Sequence, residues 1–271
     1  NADYEQAKAS AREAQRAAEA VGDKTTVARA LRNIGVACYY NGDPDCFVRN
    51  SEQALLIGKE IGDREIEANS LGNMSAGEVL LGRTAQAIQH ETEALAIRIE
   101  LGDLQMIATS RHNLGELYQA VGELAKAEAS YREGIEIFTK AGDRGGVAAE
   151  YSGLGDIAAA RGEGAARTEY ERAIKTRSEL GLQALVAASK LAYGTYLLGV
   201  APREAEPLLR EAAATFREVK DRDREAWAVG FLGRAQLALG RRDEALRTIE
   251  AARAIGDRAA YFRARLTFQM N

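Results

Sequence analysis

The chain has 271 residues, of which 46% are hydrophobic and 6% aromatic, and its 36 basic and 40 acidic side chains give a formal net charge of −4. The two signs are interleaved along the whole chain, which argues against a surface that binds nucleic-acid phosphates. No apolar stretch approaches the roughly 18 residues needed to cross a bilayer. The composition therefore excludes a membrane span and direct nucleic-acid binding, and it favours a cytoplasmic protein.

A Gly-Asp pair recurs at intervals of 40 residues in the first half of the chain. Its four copies are Gly22-Asp23, Gly62-Asp63, Gly102-Asp103 and Gly142-Asp143. About halfway between the pairs stands another glycine, in turn Gly42, Gly82, Gly122 and Gly162. An internal repeat of this period predicts helical units that stack on their neighbours along the chain.

The Gly-Asp pair suits the junction between two helices. Glycine takes the left-handed conformation that ends one helix, and aspartate caps the free amide groups of the next. Between these junctions the apolar residues follow helical spacing, as at Leu31, Ile34 and Cys38. Each repeat is therefore predicted to contain two helices with a turn between them and a turn after them.

The register predicts one continuous array with a half repeat at each end. Residues 1–22 match only a second helix, and residues 258–271 match only a first helix. Between them the predicted repeats are 23–62, 63–102, 103–142, 143–181, 182–220 and 221–257, of which 182–220 is irregular.

Two repeats depart from the pattern. In the second, Ser75 and Glu78 replace a close-packing glycine and a tyrosine, so looser packing is expected there. In the irregular repeat, Pro202 suits a first helical position, whereas Pro207 is expected to cost a helical hydrogen bond or to delay the start of the helix, with a local kink there.

Two cysteines, Cys38 and Cys46, lie near the end of one predicted helix and the start of the next. The antiparallel hairpin brings them close enough for a disulfide. The alternative is a pair of small buried thiols in a reducing compartment, and no Cys/His spacing indicates zinc.

The helical register resembles that of the tetratricopeptide repeat over essentially the whole chain. The residues that carry the resemblance are Ile34-Gly35 with Gly42 and Ala54; Leu114-Gly115, Tyr118, Gly122, Ala127 and Tyr131; Leu154-Gly155, Gly162, Ala166, Tyr170 and Ala173; Tyr193-Gly194, Leu209 and Ala212; and Leu232-Gly233, Gly240, Ala245 and Ala252. The 40-residue period, and Leu71-Gly72-Asn73, resemble Leu-Gly-Asn repeat proteins and the sensor arrays of bacterial signal-responsive regulators. The resemblance implies an all-α fold, a right-handed superhelical solenoid of antiparallel helix pairs with about six full repeats.

In such a solenoid the first helices of successive repeats line the concave face, so residues spaced by three and four on those helices are the candidate binding residues. The first full repeat supplies Arg29, Arg32, Asn33, Val36, Tyr39 and Tyr40. Later repeats supply Asn69, Asn73, Thr109, His112, Asn113, Glu116 and Asp156.

Asn33, Asn73 and Asn113 recur at intervals of 40, one per repeat. An asparagine amide both donates and accepts hydrogen bonds, so a ladder of amides matches the backbone of an extended peptide. The resemblance implies the same role. The alternative is structural, an asparagine that is common before Leu-Gly and bonds a neighbouring helix.

Charge and aromatic residues accompany the ladder. Arg29 and Arg32 form a basic end, while Glu116 and Asp156 are acidic, which suits a ligand of mixed charge. Tyr39 and Tyr40 either stack on a ligand or pack on the next repeat.

No catalytic constellation, phosphate-binding loop or metal site can be assembled from the motifs. His112 and Glu116 lie one helical turn apart, but catalytic zinc needs three protein ligands, and the chain has only two histidines, His90 and His112. We therefore expect neither enzymatic activity nor a cofactor.

The sequence predicts a non-catalytic scaffold that binds a protein or an extended peptide, as part of a larger bacterial regulatory protein. One alternative is a sensor module whose small-molecule or peptide ligand controls oligomerisation or an attached effector domain. Another is a homodimer formed through the terminal segment 258–271, whose apolar residues need a cover. A further repeat, a second copy or folding back onto the array would each supply it.

Overall fold

The computed structural model describes residues 2–256, which form thirteen α-helices. They are α1 (Ala2–Val21), α2 (Lys24–Tyr40), α3 (Pro44–Ile61), α4 (Arg64–Leu80), α5 (Thr84–Leu101), α6 (Leu104–Ala120), α7 (Leu124–Ala141), α8 (Arg144–Ala160), α9 (Ala165–Glu179), α10 (Gln183–Val200), α11 (Pro202–Glu218), α12 (Arg222–Ala238) and α13 (Arg242–Gly256). The chain divides into two compact units, Asn1–Asp143 and Arg144–Asn271. The predicted all-α helical-repeat fold is confirmed.

The Gly-Asp junctions have the conformation that the sequence predicts. Gly22, Gly62 and Gly102 are left-handed, with φ of 71°, 71° and 73°. The next residue of each pair caps the following helix, where its carboxylate accepts a backbone N–H from three residues on. Those aspartates are Asp23, Asp63 and Asp103, each with a bond of 3.0 Å.

In the first unit, each helix packs on the next along the chain, and α2 also contacts α4. The glycines of the Leu-Gly pairs let paired helices approach. A Cβ on Gly35 would lie 3.2 Å from Phe47, and one on Gly115 would lie 2.4 Å from Tyr131. Small residues at these crossings explain how a chain poor in aromatic residues buries a continuous core.

The α4–α5 junction is not loosely packed, contrary to the prediction made from Ser75 and Glu78. Both side chains are buried, with 3% and 4% of their surface exposed. The Ser75 hydroxyl donates to the Ala87 carbonyl at 2.9 Å, and Glu78 Oε2 lies 2.8 Å from His90 Nδ1. Both buried side chains therefore have a hydrogen-bond partner on α5, as buried polar groups generally do.

In the second unit, the same close approaches join Gly155 to Tyr170 and Gly194 to Leu209. Helix α11 begins at Pro202, a first helical position as predicted. The expected late start at Pro207 is wrong, because Pro207 lies inside α11.

Cys38 and Cys46 are joined by a disulfide, which links the end of α2 to the start of α3. The sequence left this pairing open.

The predicted terminal helix 258–271, with Ala259, Tyr261, Phe262, Leu266 and Phe268, lies outside the described residues. Within the described part of the chain, no helix combines the length and the apolarity that a membrane crossing requires.

Candidate functional site

The three repeated asparagines occupy equivalent positions on α2, α4 and α6. Asn33 is exposed, whereas Asn73 and Asn113 are half-buried. Each is followed by a buried apolar residue of the core, in turn Ile34, Met74 and Leu114. We call this accessible side of the three helices the asparagine face. That it forms one binding surface stays a prediction.

Within residues 4–256, the side-chain amides of these three asparagines form no hydrogen bond to the chain. Other asparagines differ. Asn41 Nδ2 donates to Glu5 Oε1 at 3.0 Å, and Asn50 Nδ2 donates to the Cys46 carbonyl at 2.8 Å. A bond to a neighbouring helix, the alternative role of the repeated amides, is therefore not formed in this structure, and their donors and acceptors are available to a ligand.

An open cleft of about 510 Å³ lies between α1 and α2. Its α2 side carries Asn33, Val36 and Tyr40 from the predicted set, and Tyr4 with four small residues of α1 forms the opposite side. The full lining is Tyr4, Ala7, Ser10, Ala11, Ala14, Asn33, Val36, Ala37 and Tyr40.

A second, smaller cleft lies on the other side of α2, against α4. It brings together Arg29, Arg32 and Asn69 of the predicted set. It also includes Asp63, which the sequence predicts only as a helix cap, and Glu65, which no sequence pattern indicated. The cleft is therefore of mixed charge.

The tyrosines at the end of α2 pack on residues of their own and the preceding helix pair. Tyr40 stacks on Tyr4 with ring centroids 5.5 Å apart, and Tyr39 meets Phe47 edge-on at 5.2 Å. One of the two predicted alternatives is that these rings pack on the next repeat. Their ring contacts are instead with Tyr4 and Phe47. Tyr40 remains 61% exposed, so one side of its ring is open to a ligand.

Charged residues of the predicted set fall into two groups. Arg29 and Arg32 are exposed, and neither has a carboxylate within 4.0 Å among the described residues. Glu116 Oε1 lies 3.6 Å from His112 Nε2, and the interaction with His112 lowers the pKa of Glu116. The basic pair therefore forms no direct ion pair, although Asp63 and Glu65 line the same cleft.

Two other predicted residues already have partners. The Thr109 hydroxyl donates to the Gln105 carbonyl of its own helix at 2.9 Å. Asp156, in the second unit, accepts the Tyr170 hydroxyl at 2.5 Å. Since this bond holds the Tyr170 ring, Asp156 has a structural role whether or not it also binds a ligand.

Cys38, Asp43 and Cys46 place three potential metal-ligand atoms within 4.8 Å of one another. Both sulfurs are used in the disulfide, and Asp43 accepts the Cys46 amide at 2.9 Å as the cap of α3. We therefore assign these atoms to structure and not to a metal.

Solved structures similar to this chain are helical-repeat proteins. The apo form of RapI matches with a TM-score of 0.70 at 16% identity, over 95% of this chain and 100% of that chain. The Rap conjugation gene regulator of plasmid pLS20, in complex with the Phr* peptide, matches with a TM-score of 0.68 at 17% identity, over 94% of this chain and 70% of that chain. The fold is that of the tetratricopeptide-repeat-like proteins.

A third similar structure is a Signal Transduction ATPase with Numerous Domains from Pyrococcus horikoshii, which has a tetratricopeptide repeat sensor. It matches with a TM-score of 0.64 at 14% identity, over 90% of this chain and 38% of that chain. No protein-family model matches the sequence, and no curated protein is significantly similar to it. At identities this low the similarity establishes the tetratricopeptide-repeat-like fold alone, because one fold serves many functions.

Proposed function

We propose that this protein is a non-catalytic scaffold that holds an extended peptide or protein segment against Asn33, Asn73 and Asn113. The observation that carries the proposal is that these amides recur at intervals of 40 residues on the accessible side of their helices and have no hydrogen-bond partner among the described residues. An extended backbone presents donors and acceptors in alternation, which an amide matches with both of its groups.

The residues around the asparagine face suit a peptide of mixed character. Arg29 and Arg32 supply positive charge for an acidic group, and the open side of the Tyr40 ring supplies apolar surface. The pLS20 regulator, which shares the fold, was solved with a peptide bound. We extend the proposal to a role in a larger regulatory protein.

The test is a selection of random linear seven-residue peptides displayed on phage, followed by affinity measurements on the peptides recovered. Replacing Asn73 and Asn113 together with alanine should weaken binding by at least about tenfold, because each lost amide removes hydrogen bonds to the peptide backbone. The melting temperature should stay nearly unchanged, since neither amide bonds the chain. Gln53→Ala, at an exposed position of α3, is the matched control and should bind as the wild type does.

Two results would contradict the proposal. One is that the selection recovers no peptide that binds the wild type. The other is that the double variant loses thermal stability and keeps its affinity.

A second candidate function is a sensor module for a small molecule. The cleft between α1 and α2, at about 510 Å³, has the size of sites that hold such ligands, and the Pyrococcus protein has a tetratricopeptide repeat sensor. A thermal-shift screen of sugars, nucleotides and amino acids distinguishes the two, because a bound ligand stabilises the folded state by mass action. Small metabolites that raise the melting temperature, without any peptide that does, would favour the sensor.

A further inference from the structure

Arg177, near the end of α9, is a buried cation without a counter-ion. Its surface is 8% exposed, and no carboxylate lies within 4.0 Å of it among the described residues. Burial lowers the pKa of the guanidinium, since removal from water disfavours the charged form. An arginine nevertheless stays protonated in proteins, so the charge remains.

The neutral partners of Arg177 use one of its three nitrogens. Nη1 donates to the Ser152 hydroxyl at 3.2 Å, to the Leu185 carbonyl at 3.4 Å, and to the Ser189 hydroxyl. Nε is buried without a partner. Nη2 likewise has none among the described residues. Nε and Nη2 together form the edge of a guanidinium that can bind a carboxylate through two parallel hydrogen bonds.

The first unit contains the same arrangement with its charge balanced. Arg98 stands twelve residues before Ser110, as Arg177 stands twelve before Ser189, and Arg98 Nη1 also donates to that serine. Seven residues before Arg98 is Glu91, whose Oε1 accepts from Arg98 Nη1 at 2.9 Å. Nε of Arg98 also has no partner, so the counter-ion is what distinguishes the two arginines.

In the second unit the position of Glu91 is taken by Tyr170, again seven residues before the arginine. Tyr170 has no charge to offer, and its hydroxyl donates to Asp156 at 2.5 Å. An unpaired charge in the interior costs considerably more than a paired one. An anion bound at the guanidinium would supply the missing negative charge.

We propose that Arg177 is the centre of a binding site for a carboxylate group, with Ser152 at its edge and Ser189 holding the guanidinium in place. A carboxylate carries the single negative charge that balances Arg177, and its planar shape fits the free nitrogen edge. Ser152 is half-buried and Leu185 is exposed, so the site lies near the surface of the second unit.

This site does not depend on the asparagine face, which lies in the first unit. The site would bind the carboxylate of a small organic acid and that of an acidic group in a longer ligand equally well. The proposal is tested with a probe that contains the group and little else.

The experiment is an acetate titration of the full chain at constant ionic strength, followed by NMR of the arginine Nε–Hε signals. Arg177→Gln identifies the signal of Arg177, and Arg98→Gln identifies the internal control. Acetate should shift the Arg177 signal saturably, and the Arg98 signal should not move. Acetamide, a neutral molecule of the same shape, should shift neither.

Ser189→Ala keeps the guanidinium and removes one of the groups that positions it, so the acetate affinity should fall by about tenfold. Acetate should raise the melting temperature of the wild type and not that of Arg177→Gln. If Arg177→Gln does not fold, the proposal is still tested by Ser189→Ala and by the comparison of acetate with acetamide on the wild type. No saturable shift up to 100 mM acetate, or an equal shift of the Arg98 signal, would overturn the proposal.

Discussion

Gly155 of α8 lies against the ring of Tyr170 of α9, so closely that a Cβ on Gly155 would come 2.9 Å from Cδ1 and Cε1 of the ring. The ring has no room to move aside, because Tyr170 is 2% exposed and its hydroxyl is bonded to Asp156. A glycine at this crossing is therefore required by packing, and the same reason explains the Leu-Gly pattern in the repeats.

Gly155→Ala should lower the free energy of unfolding by about 1 to 3 kcal/mol, the usual cost of inserting a methyl group into a packed interior. Urea unfolding of the purified variant measures this. Gly199→Ala is the control in the same unit, since no atom lies within 4 Å of a Cβ placed there. It should be neutral or stabilise α10 by about 0.5 to 1 kcal/mol through helix propensity. Equal effects of the two substitutions would show that the ring gives way.

The helices and their junctions were predictable because the determinants are local. A left-handed glycine and a capping aspartate act within one turn, so Gly62 and Asp63 reveal a junction without knowledge of the rest of the fold. The small residues at crossings repeat with the same period. The candidate binding residues follow from this register, and that they bind a ligand stays a prediction.

The polar interior was not predictable in this way. Glu91 and Arg98 are buried and paired, and the helical spacing of the sequence does not predict that pairing. Serines at crossings, such as Ser75 and Ser110, do not reveal in sequence which carbonyl or guanidinium they meet. These contacts join different helices, and the repeat period of the sequence does not specify the side-chain positions on which they depend.

Lys220 occupies the left-handed conformation, with φ of 61°, at a junction where the earlier repeats have glycine. A side chain in this conformation destabilises the folded state by about 1 to 2 kcal/mol. Glycine removes this strain, but its greater conformational freedom stabilises the unfolded state and offsets part of the gain. Lys220→Gly should therefore stabilise the protein by about 0.5 to 1 kcal/mol in thermal or urea unfolding. Gly181→Lys, the reverse change at another junction of the same unit, should destabilise it. A loss of stability in Lys220→Gly would contradict this account.

Glu91 and Arg98 form a buried ion pair of 2.9 Å, with side chains 1% and 6% exposed. Glu91→Leu leaves an uncompensated guanidinium in the interior, and such losses typically cost about 3 to 5 kcal/mol. The double variant Glu91→Leu with Arg98→Met removes both charges, so it should be more stable than Glu91→Leu alone. A double-mutant cycle by urea unfolding measures the coupling. Additive effects of the two substitutions would show that the pair is not coupled.

Glu225 is buried at 1% exposure and accepts hydrogen bonds of 2.7 Å from Arg217 and from Arg222. Burial alone would raise the pKa of this carboxyl, but the two arginines outweigh burial and lower it. Glu225→Gln should reduce the free energy of unfolding at pH 7 by about 1.5 to 3 kcal/mol, toward the lower end because both arginines are largely exposed to solvent.

The lowered pKa fixes the pH dependence of this effect. Because the folded state binds the proton less readily than the unfolded chain, Glu225 contributes its full stability above the ordinary glutamate pKa of about 4.3 and loses it as pH falls through the lower folded value. The difference between wild type and Glu225→Gln, measured by urea unfolding from pH 7 to pH 3, should therefore be constant down to about pH 5 and then shrink. Glu218→Gln, at an exposed position of α11, should match the wild type throughout. A difference that grows on acidification would mean that burial, and not the arginine pair, dominates the titration of Glu225.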